Sequence, residues 1–310
     1  MNSTNETFYP LDFWFGLYGY PYIADIIVAY VITPVWLLSL LVSLFNLLIL
    51  LKAPFFASHF FSYMRLYVAN CVILSLIGIS AIFATTHNIF SFSNTYEVVY
   101  FSYWVTWFAS NSFVLFSSCI EISLVVERVL YLLPARYRRI KVVGFYKFFF
   151  SLFIVCLVIN LPVLFLFETS FADIQLDQNS TFRIWYIGVT AFSYELTGEI
   201  LNYLGYLFRD ILPMVSKIVI NSLSVYLVRK YVKNKQRIRA ATTTANSNLV
   251  NFDHKQTYVA LVMSVFSLFE HILYIASYVL YFVNNYDLST VVYVVALLFI
   301  ALKNLLIFLF

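Results

Sequence analysis

The chain has 310 residues, of which 62% are hydrophobic and only 11% charged, with a formal net charge of +4. A water-soluble domain needs roughly a quarter of its residues charged, so this composition excludes a protein whose surface is mostly wetted. Aromatic residues reach 20%, with 25 Tyr and 33 Phe, many of them near the ends of apolar runs, where amphipathic rings mark a membrane–water boundary.

Met1 to Pro10 is polar and acidic and lacks the basic lead of a cleavable signal. Insertion is therefore expected to begin with the first long apolar run, acting as an uncleaved anchor. Residues 1–25 read as an extracellular N-terminal segment and residues 26–310 as one membrane domain. About 20 mostly apolar residues span the hydrocarbon. Seven runs qualify: Ile26–Leu51, Tyr63–Thr85, Tyr100–Leu133, Phe145–Phe167, Leu201–Val228, Tyr258–Phe282 and Ser289–Phe310. All are expected to be helices, because the bilayer offers no water to an open backbone. The expected fold is thus all-α, a seven-transmembrane helix bundle. Phe182 to Tyr194 is apolar but short, and Glu195 and Glu199 separate it from the fifth run. It reads as part of an extracellular loop near the interface, with an eighth span as the alternative.

Orientation follows from the basic residues. Lys52 and Arg65 flank the first short loop. Arg136, Arg138, Arg139, Lys141 and Lys147 follow the third run, and Arg229 to Lys255 carries seven more after the fifth. The alternate loops hold mainly acids, with Arg183 the exception. Positive loops stay cytoplasmic, which places the N-terminus outside and, after seven spans, the C-terminus inside. Three Asn-X-Ser/Thr sequons, at Asn2, Asn5 and Asn179, fall on the same outer side and are candidate glycosylation sites. Cys71, Cys119 and Cys156 lie within apolar runs, as packing residues do, and show no metal-binding spacing. No metal, cofactor or nucleic-acid partner is expected, and the plasma membrane is the expected location.

Glu127-Arg128-Val129 closes the third run, followed by Pro134 and the basic series Arg136, Arg138, Arg139. An acid beside an arginine at a membrane face can form a neutralised pair that breaks when a partner offers the arginine new contacts. The plainer reading is a snorkelling arginine at the interface. Asn46 stands in the first run, Leu66 to Asn70 in the second, Pro213 in the fifth and Asn304 to Phe308 in the seventh. With seven spans, these segments resemble the signatures of rhodopsin-like (class A) G-protein-coupled receptors, in a divergent chemosensory or peptide-receptor form of invertebrate type. The resemblance implies binding of an extracellular ligand, activation of a heterotrimeric G protein, and a coupling role for Glu127, Arg128 and the basic loop. It departs at Val129, where the family has tyrosine, and at Asn70, where it usually has aspartate. Phe266 to His271 stands in place of a Trp-X-Pro hinge, and Tyr103 replaces the usual disulfide cysteine.

Ionisable groups inside a membrane are costly and face a protein interior or a water-filled cavity. Glu121, Glu270, His271 and Lys303 lie in the predicted spans. Lys303 is expected to pair with Glu121 or Glu270, in an interior polar network that also holds Asn46, Asn70 and Asn304. Glu270 and His271 read equally well as a neutral packing pair. Trp107, Ser110 and Asn111 in the third run and Arg209 and Asp210 in the fifth are candidate ligand contacts, with interfacial anchoring or an Arg209–Asp210 pair as the plainer reading. Ser110 occupies the place where amine receptors carry an aspartate, so a classical monoamine is not the expected ligand. The acidic outer loops suit a cationic peptide, and an aromatic cavity suits a small apolar odorant. The alternative class is a transporter or channel for a small solute. Only 7 Gly and no internal repeat speak against it. An intramembrane enzyme would need a nucleophile–base pair or metal cluster, for which Cys119 with Glu121 is too slight a basis.

Overall fold

A computed structural model describes residues 32–52, 59–85, 95–132, 144–177, 180–241 and 265–277, with single positions at 262 and between 279 and 302. The first helix, α1 (Thr33–Leu50), begins with Pro34, whose missing N–H falls where a helix has no acceptor to offer. Its burial runs opposite to that of a soluble helix. Ser39 and Ser43 are buried, whereas Leu41 is 64% and Leu48 65% exposed. Leucine gains nothing from leaving lipid, so small polar residues take the helix contact instead. Ser39 Oγ lies 3.2 Å from Ser75 Oγ on α2 (His59–Thr85). A Cβ at Gly78 of α2 would come within 2.9 Å of the Trp36 ring, so glycine is what lets α1 approach here.

Thr95 caps α3 (Tyr96–Ser102) by accepting from the Val98 N–H, and Glu97 in the first turn complements the helix dipole. The helix continues through a π-helical segment, Tyr103–Ala109, into α4 (Ser110–Leu132). A π turn shifts the hydrogen-bond ladder by one residue. Two side chains serve carbonyls within it: Asn111 donates to Trp107 O and Ser112 to Phe108 O. Gly144, at φ 75°, turns the chain into α5 (Phe145–Asn160), a conformation a side chain would strain. The turn at Leu161-Pro162 leads to α6 (Val163–Leu166), where the Tyr103 hydroxyl donates to Val163 O, a helix-end carbonyl, at 3.4 Å.

Two antiparallel strands follow, β1 (Phe167–Asp177) and β2 (Ser180–Val189), paired from Phe167↔Val189 to Asp177↔Ser180. The described structure is mostly helical, as expected, and this hairpin in the segment read as a loop is the exception. The segment is rich in Phe, Ile, Thr and Trp, which suit a pleated surface, and each strand satisfies the other's backbone. Arg183 lies 4.2 Å over the Phe171 ring, and Trp185 packs on Tyr96 of α3 at 4.9 Å. Phe182–Val189 is thus a strand and Ala191–Tyr194 a single 3-10 turn, with no eighth span.

The next helix, α7 (Leu196–Tyr206), passes through a second π segment, Leu207–Ile211, into α8 (Leu212–Ala241). Pro213 accounts for this widening. It has no N–H for the carbonyl of Arg209, and its ring would clash with that carbonyl in an α-helix. The last continuous stretch is α9 (Val265–Ser277), short and apolar.

Five helices are long and apolar enough to cross a membrane: Thr33–Leu50, Phe60–Ser80, Tyr96–Glu127, Phe145–Leu166 and Leu196–Leu227. They match the first five expected spans to within a few residues, apart from residues 26–31, which are not described. Within the sixth expected run the described residues include α9, which is shorter than a span. The seventh, like the segment 1–25, lies largely outside the described residues. The chain has the build of a membrane protein. Its apolar core sits where α2, α4 and α5 meet, around Tyr67, Val68, Ile120, Leu124 and Phe149. Tyr63 packs edge-on against Phe145 and Phe149, and Phe116 against Phe153.

Candidate functional site: a charged network inside the helix bundle

Beside this apolar core, four helices bring polar side chains together away from solvent. Glu121 and Ser118 are three residues apart on α4, and Ser267 and His271 are four apart on α9, so each pair shares a helix face. Lys217 comes from α8, four residues past Pro213. Its Nζ lies 2.8 Å from Glu121 Oε2, with the two side chains only 0% and 2% exposed. The ammonium also donates to Ser118 Oγ at 3.1 Å and to Ser267 Oγ. The ammonium therefore faces three oxygens, two through hydrogen bonds and the carboxylate through its charge. The second carboxylate oxygen, Glu121 Oε1, accepts from the Tyr67 hydroxyl of α2 at 2.8 Å. Ser118 Oγ lies 3.2 Å from His271 Nε2, which extends the network deeper into α9. Glu270, beside His271, is also fully buried.

Each of these contacts of Lys217 and Glu121 thus crosses to another helix. Breaking such a pair by removing one charge costs about 3–5 kcal/mol, because the other is left buried and uncompensated. The network resists small displacements of α2, α4, α8 and α9 against one another, yet it is made of discrete bonds that can be exchanged. That is a physical basis for two alternative packings. Among the described residues no group of three or more His, Cys, Asp or Glu side chains comes together as a metal site.

The sequence-predicted site residues distribute as follows. Glu121 and Glu270 are both in the bundle interior, 2% exposed. The cation that the structure sets against Glu121 is Lys217; Lys303 and Asn304 lie outside the described residues. Asn70 is buried and donates to Phe113 O of α4 at 3.2 Å, joining α2 to α4 apart from the charged network. Asn46 is half-buried on α1, its amide nitrogen without a hydrogen-bond partner among the described residues. Glu127 and Arg128 are on the last turns of α4. Arg136, Arg138 and Arg139 lie outside the described residues, as do the sequon residues Asn2, Asn5 and Asn179.

Among the candidate ligand contacts, Trp107 lies in the first π segment with its ring 4.7 Å from Phe167, and Ser110 and Asn111 follow directly. Arg209 and Asp210 lie in the second π segment and pair with each other at 2.9 Å, with Arg209 5.2 Å over the Tyr206 ring. Lys217, Tyr67, Ser118 and Ser267 were not singled out from sequence. For Lys217 the signal was present: an ionisable residue in the middle of a predicted span. For the tyrosine and the serines there was none, since such residues are frequent in apolar helices.

Comparison with protein-family models gives no match for this chain, and comparison with curated proteins gives none either.

Proposed function

We propose that this protein is a seven-span receptor of the rhodopsin-like kind, with its N-terminus outside and C-terminus inside the plasma membrane. It converts binding of an extracellular ligand, a peptide or a small chemosensory molecule, into activation of a heterotrimeric G protein. The observation that carries this reading is the helix-crossing network itself. It joins α4, which bears Glu127-Arg128-Val129 near its end, to α8 and α9 by bonds that a shift of those helices would break. A ligand acts only through its different affinities for two states, and exchange of these bonds would separate a second packing from the one described. Glu127 and Arg128, with the basic residues Arg136, Arg138 and Arg139, would meet the G protein. The sequons at Asn2, Asn5 and Asn179 would carry glycans on the outer side.

The test is G-protein coupling in cells, comparing the native chain with Arg128→Ala over a pooled peptide and odorant library. Coupling in the native chain that disappears in the variant at equal surface expression supports the reading. Normal surface expression without coupling to any G protein counts against it.

The same buried Lys217–Glu121 pair favours a second reading, a transporter or channel. Ionisable groups facing one another within a membrane also mark ion and substrate pathways. Solute flux by the purified protein in liposomes, lost in Lys217→Met, would select it.

A further inference from the structure

We infer that the Glu121–Lys217 pair is the brace of the silent state, holding α8 and α9 against α4 until a ligand separates them. This rests on the receptor reading and names the regulation of its interior site. The first argument is economy. A buried ion pair is a poor way to stabilise a fold, since apolar residues of like volume do as well or better. What it supplies is direction and an all-or-none character. Lys217 can keep its three oxygens only while α4 supplies Glu121 and Ser118 and α9 supplies Ser267.

The second argument is placement. The π segment Leu207–Ile211 and Pro213 lie just upstream on the same continuous helical stretch, within three turns of Lys217. Backbone there lacks a regular ladder and yields more readily than uniform α-helix. A ligand that repositions this part of α8 therefore moves Lys217 first. The third is the anchoring of the anion. Tyr67 holds Glu121 from α2, so the carboxylate stays with α2 and α4 when the cation departs.

The experiment has two readouts that fail separately. Ligand-free G-protein exchange, scaled to surface expression, is measured for the native chain, Glu121→Gln, Lys217→Met, Ser267→Ala, and the charge exchange Glu121→Lys with Lys217→Glu. In parallel, the distance between spin labels on the lipid-exposed Tyr226 of α8 and Phe269 of α9 is measured in nanodiscs. The single-charge variants are expected to raise ligand-free exchange roughly fivefold or more, the scale of ordinary allosteric coupling, and to broaden the label distances. The charge exchange is expected to return both toward native.

Native-level exchange and unchanged distances in the single-charge variants overturn the brace. Should those variants be retained unfolded, Ser267→Ala decides, because it keeps both charges: raised exchange or broadened distances support the brace, and native values overturn it. Distances that respond to the charges, with no coupling of any chain to any G protein, support the brace as a conformational device and reject the receptor reading.

Discussion

Two ion pairs among the described residues have similar length and quite different meaning. Arg209 and Asp210 are neighbours in sequence on one π turn, 2.9 Å apart and each 10% exposed. Glu121 and Lys217 are 2.8 Å apart, fully buried, and belong to different helices. The first pair neutralises its own segment and stays intact wherever that segment goes. The second exists only in one arrangement of the bundle. Their contacts say the same: Arg209 leans on Tyr206 of its own helical stretch, while Lys217 reaches α4 and α9. An ion pair reports on tertiary structure only when its members come from elements that can part.

The sharpest way to break this comparison is to remove one charge from each pair. Lys217→Ala is expected to lower stability by about 3–5 kcal/mol through the stranded Glu121 carboxylate, read as a fall in thermal unfolding temperature in detergent. Lys217→Met combined with Glu121→Leu should recover most of that loss, and a double variant no better than the single would deny the pairing. Next in size is a packing change without charge. Gly78→Leu forces a side chain into the Trp36 ring and is expected to cost about 1–3 kcal/mol, as overpacking does. An unchanged melting temperature would mean that α1 is free to move away.

Arg209→Ala should cost less than Lys217→Ala, because Asp210 is less deeply buried than Glu121 and its pairing joins no two helices. A loss as large as that of Lys217→Ala would erase the distinction drawn between the two. The smallest effect belongs to Ser39→Ala, which removes the Ser39–Ser75 contact and is expected to cost about 0.6 kcal/mol, typical of such bonds between membrane helices. Measured in the same detergent, it sets the floor against which the charged pairs are judged.

The first five expected spans were legible because each rests on a sum over some twenty local residues. Tyr100–Leu133 was expected, and Tyr96 to Leu132 is continuous helix. Phe145–Phe167 was expected, and the membrane-length stretch is Phe145–Leu166. The hairpin escaped that sum. Its residues are apolar on average, and what distinguishes β1 and β2 is their pairing with each other, which a hydropathy run does not record. The interior site was half legible. Glu121, Glu270 and His271 declared themselves by charge within apolar runs, whereas Tyr67, Ser118 and Ser267 became notable only once Lys217 stood between their helices.

The sequence by itself determined that this chain is built for a membrane, where its first five long helices lie, and that charges are sunk within them. These follow from transfer free energies, which add residue by residue whatever the neighbours. Only the tertiary structure decided which charges meet. Whether Glu121 faces a lysine on α8 or one elsewhere depends on how each helix is rotated and set in depth. Those settings come from the bond of Asn70 to the Phe113 carbonyl, the packing of Phe116 on Phe153, and the π turn Leu207–Ile211 that leads into α8. Packing is a property of pairs of helices, and no single helix carries it in its own sequence.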